Sequence, residues 1–109
     1  MTKLTPTGLI LLIAIALPLG AADGTWISLF NGKSLDNWTA NENSKTWRVE
    51  DGSIVTRGDR SHLFYTGHVE KANFKNFEFS AEVMTTPGSN SGIYIHTKFG
   101  QDPWPVAGY

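Results

Sequence analysis

The chain has 109 residues, 40% of them hydrophobic, with 9 Lys and Arg against 10 Asp and Glu and a formal net charge of −1. A balance this close to neutral gives no reason to expect nucleic acid or an anionic membrane as partner. The absence of cysteine excludes a disulfide framework and any thiolate metal site.

The amino terminus reads as a targeting segment. Lys3 is the only charge before Asp23, residues 8–19 are apolar, and Gly20, Ala21 and Ala22 supply the small residues of a cleavage site. Positive, apolar and small, in that order, is the pattern of a secretory signal. A leader helix is therefore predicted over 1–22, cleaved after Ala22, with the remainder exported to the periplasm or the medium. An uncleaved anchor is the competing reading, but spanning a bilayer takes about 20 apolar residues, more than this run supplies. No stable membrane insertion is expected once the leader is gone. Without Lys3 the rest carries eight basic and ten acidic residues, a formal charge of −2.

From Trp26 onward, period-two patterns and turn dipeptides dominate, and no window keeps a helical period. A first strand is predicted at Trp26 to Phe30, ending at Asn31-Gly32. The polar stretch from Lys33 to Lys45 reads as a loop anchored by Leu35 and Trp38. Asp51-Gly52 between Trp47–Glu50 and Ser53–Val55 is the clearest hairpin, since this dipeptide suits the tight turn that strand twist demands. A short strand follows at His62 to Tyr65. Phe77 to Met84 alternates Phe77, Phe79, Ala81 and Val83 with Glu78, Ser80 and Glu82, so the two sets should lie on opposite faces of one strand. Thr86 to Gly92 is a loop, and Ile93 to His96 a last strand with Tyr94 and His96 on its polar face. Trp26, Trp38 and Trp47 are assigned to the core. Short strands at close spacing predict an all-β sandwich or barrel. Fewer strands are predicted than the roughly seven such a sandwich needs, so the domain is expected to continue past Tyr109, with 23–109 as its amino-terminal part.

Four stretches carry a resemblance: residues 26–38 (WISLFNGKSLDNW), the 47–55 hairpin, 76–82 (NFEFSAE) and 87–96 (PGSNSGIYIH). Together they resemble the 3-keto-disaccharide hydrolase family. The resemblance implies a concanavalin-like or jelly-roll-like β-sandwich, a small carbohydrate substrate, and cleavage of glycosides already oxidised at C3. It also implies that polar residues following Gly108-Tyr109 would complete the site.

A ketone at C3 acidifies the C2 proton, so a base can remove it and the C1 substituent can leave by elimination, after which water adds. Such chemistry asks for a base tuned near neutrality and a stabiliser of the enolate. A divalent metal is one form that stabiliser takes, and the cofactor is left open. His96 is the first candidate for base or metal ligand, against the plain reading of a solvated histidine. Glu82 is the second, on a strand expected beside it, although alternating Glu is ordinary on a solvated strand face; Glu78 shares that face. Tyr94, Asn90, Arg60 and Trp104 are candidates for binding sugar, Trp104 being held rigid between Pro103 and Pro105. His62, like Arg60, could reach a sugar hydroxyl or carboxyl from a loop edge, against the plainer reading of solvation for both. The competing functions are a non-catalytic, lectin-like carbohydrate-binding module and an inactive gene fragment.

Overall fold

The computed structural model describes residues 9–11, 15–18 and 25–109. Two stretches of the expected leader, Leu9–Leu11 (β1) and Ile15–Pro18 (β2), are strands; the rest of that segment, and with it the predicted cleavage site, lies outside the described residues. The other strands are Ile27–Ser28 (β3), Trp38–Ala40 (β4), Trp47–Glu50 (β5), Ser53–Thr56 (β6), Leu63–Tyr65 (β7), Phe77–Ser80 (β8) and Val83–Met84 (β9). Only single turns of 3-10 helix, at Ser44–Thr46 and Val69–Ala72, interrupt them among the described residues. The domain is all-β, as its turn-rich, period-two sequence predicts. Every strand pairing is antiparallel, in sheets ordered β5-β6-β1-β9, β3-β2-β8 and β4-β7.

The predicted hairpin is the anchor of the largest sheet. Asp51 (φ 48°) and Gly52 (φ 75°) both adopt the left-handed conformation, which sets the primed turn that joins twisted strands without splaying them. Trp47 then pairs with Thr56 and Glu50 with Ser53. Ser53, Ile54 and Val55 are all fully buried. Successive residues of a strand face opposite ways, so burial of three in a row means that β6 is covered on both faces. Val55 packs on Met84 of β9, while a second cluster gathers Trp38, Tyr65, Val69, Phe74 and Phe79 around Leu29.

Three local expectations change. The stretch from Lys33 to Lys45 is not loop throughout: Trp38 to Ala40 pairs with β7, and the Trp38 indole N–H donates to the Leu29 carbonyl at 2.8 Å. The single strand expected over Phe77 to Met84 is broken at Ala81-Glu82, because β8 pairs with β2 and β9 with β1, and a chain that changes sheets must bend between them. Phe77 and Phe79 are nevertheless half-buried against exposed Glu78 and Ser80, so the predicted alternation holds within β8. Trp26 is 46% exposed rather than in the core, whereas Trp38 and Trp47 are half-buried.

Candidate functional site

β7 separates two environments. Tyr65 turns toward the Leu29 cluster, edge-on to Trp38 with ring centroids 5.4 Å apart. Phe64, adjacent in sequence and so on the other face, meets Phe99 edge-on at 5.3 Å. Two residues earlier, on the Phe64 side, His62 is flanked by Tyr94 at 5.7 Å and Trp104 at 5.2 Å, both edge-on. This alternation brings an imidazole and an aromatic ring from the 62–64 stretch onto residues some thirty or forty positions later in the chain.

His62 is held by Asn41, which is buried at the end of β4. The Asn41 N–H donates to the His62 carbonyl at 3.0 Å, and its side-chain oxygen accepts the His62 N–H at 2.8 Å. The Asn41 amide nitrogen donates in turn to the Asp102 carbonyl at 2.8 Å. One buried amide thus fastens the segment that presents Trp104 to the strand pair that presents His62. Nδ1 of His62 is itself buried with no protein group in hydrogen-bonding range. A polar atom left in that state needs an account, because burying it unpaired costs about 1–3 kcal/mol.

Arg60 completes the cluster. Its guanidinium lies 5.6 Å from the centre of the Trp104 ring and pairs with Glu42 at 2.8 Å. The hydrogen bond from Arg60 to the Glu42 carboxylate, and then the charge of that carboxylate, raise the guanidinium's pKa further above its ordinary value. Arg60 therefore remains a cation under all working conditions, stacked where an aromatic face attracts it.

These groups belong to the wall of one open cavity of about 1520 Å³, which His96, Asn90, Tyr94, Arg60 and Trp104 all line. Five of the six residues proposed for the site from sequence line this cavity, Arg60, Tyr94 and Trp104 around His62 and His96 apart from them against Phe77 and Tyr109. Glu82 is not among the lining residues; it sits exposed in the break between β8 and β9. Phe77, Phe79, Ile93 and Ile95 supply an apolar floor. His96 is exposed and left-handed (φ 56°), its ring 5.5 Å from Phe77 and 6.5 Å from Tyr109. The expected strand at Ile93 to His96 is reduced to one reciprocal pair of hydrogen bonds between Ile95 and Tyr109, each 2.9 Å. The left-handed turn of His96 ends extended pairing there.

Among the described residues, no three His, Asp or Glu side chains converge where they would hold a metal ion. No helix of the described residues is long and apolar enough to cross a membrane. His62, read from sequence as a loop-edge residue, is packed between Tyr94 and Trp104. Its signal was its position: a titratable side chain in phase with Phe64, opposite a run that buries Tyr65.

The sequence profile of the family described as the 3-keto-alpha-glucoside-1,2-lyase-like domain matches residues 25–109. No curated protein and no solved structure shows significant similarity to the chain.

Proposed function

Because the chain belongs to the 3-keto-alpha-glucoside-1,2-lyase-like domain family, we propose that it is an exported carbohydrate-active β-sandwich that cleaves 3-keto-glycosides at C1. The single observation that carries the reading beyond the family is the convergence of His62, His96, Arg60, Tyr94 and Trp104 on one cavity.

The chemistry follows from the ketone. A base takes the C2 proton and the C2–H electron pair becomes an enolate with its charge on the C3 oxygen. The enolate then re-forms the ketone as C1=C2 forms and the C1–O bond breaks, its pair leaving with the aglycone oxygen, which is protonated. Water adds across C1=C2, hydroxyl to C1 and proton to C2. His96, exposed on the cavity wall, is assigned the C2 proton, because its imidazole nitrogens are accessible to a bound sugar. Arg60 is assigned the developing enolate oxygen, to which its guanidinium supplies fixed positive charge, while the buried His62 ring supports Tyr94 and Trp104 from behind. Trp104 and Tyr94 present rings to the sugar face, Trp104 being 54% exposed.

Offering the purified protein a 3-keto-disaccharide, with and without chelator, and measuring released sugar tests the reading. Release that falls about a hundredfold in His96→Gln is expected of a general base. No release under either condition refutes it. The second reading, a lectin-like module, rests on the same exposed Trp104 and Tyr94 rings; calorimetric binding of the keto-sugar without turnover would establish it instead.

A further inference from the structure

A second, smaller cavity of about 230 Å³ lies beside the first. The two meet along Phe64, Phe99 and Trp104, which line both. Beyond that seam the smaller cavity is an open recess with Val106, 75% exposed, at its rim and Lys98 and Asp102 as its charged side chains. We propose that this side cavity binds an aromatic aglycone, so that the favoured substrates are aryl 3-keto-glycosides. The inference rests on the reading of the larger cavity as the site for the keto-sugar.

Size and lining both point to an aryl group. An apolar cavity of about 150 Å³ already admits benzene, so this one accommodates a substituted ring. Phe64 and Phe99 are set edge-on, 5.3 Å apart, the arrangement in which an incoming ring extends the stack. A second sugar would find charged partners only at Lys98 and Asp102, whereas the Phe64, Phe99 and Trp104 rings that make up most of the seam offer its hydroxyls little, and each hydroxyl buried without a partner carries a penalty. The wall is also fixed in place before any ligand arrives. Asn41 clasps the Asp102 carbonyl, and the Ile95–Tyr109 pair closes the base of the segment that carries Phe99 and Trp104.

The test compares binding of phenyl and methyl glucosides of both anomers by calorimetry, since these lack the ketone and are not turned over. Wild-type protein is expected to hold the phenyl glucoside at least about tenfold more tightly. Val106→Asp places a charge in the side cavity at a position 75% exposed, where folding does not depend on it, and should abolish the preference. Equal affinities for phenyl and methyl ligands, or a preference that survives Val106→Asp, would overturn the proposal. A phenyl preference in a protein that releases no sugar from a 3-keto-disaccharide would leave the aryl site standing and remove the enzymatic reading alone.

Discussion

Replacing Asn41 by Ala should loosen the site and the domain together. The side chain makes two hydrogen bonds, accepting from the His62 N–H and donating to the Asp102 carbonyl, both at 2.8 Å. At about 1 kcal/mol for each bond, with some further penalty for the half-buried His62 N–H, the loss is about 2–3 kcal/mol. Asp102 is exposed, so its carbonyl regains water when the segment swings away, which keeps the cost from rising higher. For a domain of this size the loss corresponds to a fall in Tm of about 10–20 °C. Thermal unfolding followed by circular dichroism reads that term. Limited trypsin digestion at Lys98 reads the loosened segment, which should be cut faster in the folded variant. Asn41→Asp keeps the oxygen that serves His62 but sets a carboxylate oxygen against the Asp102 carbonyl at a buried position; it should accelerate cleavage at Lys98 with a drop in Tm at least as large. A Tm within about 2 °C of wild type for Asn41→Ala, with unchanged digestion, would refute the role given to this clasp.

Other expectations follow from the same contacts. Ile54→Ala removes a fully buried side chain from a strand covered on both faces and should destabilise by about 2–5 kcal/mol in urea unfolding. Gly52→Ala forces a Cβ into φ 75° at the hairpin turn, so a loss of about 1–2 kcal/mol is expected in the same experiment. Trp38→Phe deletes the donor to the Leu29 carbonyl and should cost at least about 1 kcal/mol, visible as an earlier unfolding midpoint. The protein recovered from an exporting host should begin at Asp23 when its amino terminus is sequenced, which would take β1 and β2 out of the sheets they join; an intact Met1 would refute the cleaved leader and keep both strands in place.

Local chemistry was the legible part of this molecule. Asp51-Gly52 demanded a particular turn and obtained it, and Phe77 and Phe79 pointed inward because a four-residue strand leaves them no other choice. Features that depend on which strand meets which were less legible. Nothing in the run from Phe77 to Met84 marks Ala81-Glu82 as the place where the chain leaves one sheet for another, so Glu82 was expected on a continuous polar face. The strand at Trp38 to Ala40 is created by its partner, Leu63 to Tyr65, in a stretch whose own composition favours loop. The site shows both halves of the lesson. Arg60, Asn90, Tyr94, His96 and Trp104 were singled out by residue type, whereas His62 acquires its meaning only from Tyr94 and Trp104, brought against it by folding.

The neck formed by Ile95 and Tyr109 makes the 96–108 segment separable from the sheets that carry it. Its two ends meet through paired hydrogen bonds, and Gly108, at φ 126°, leaves no room for a Cβ against Thr97 and the Ile95 carbonyl. Between those ends Lys98, Phe99, Gly100, Asp102, Trp104, Pro105 and Val106 line the smaller cavity, and no residue of the segment belongs to the hydrophobic clusters around Leu29 and Val55. A loop sealed at its base can change its contents while the scaffold beneath keeps its stability. Transplanting 96–108 between family members, with Asn41 retained as the fastening, should therefore carry aglycone preference from one protein to another as a portable insert.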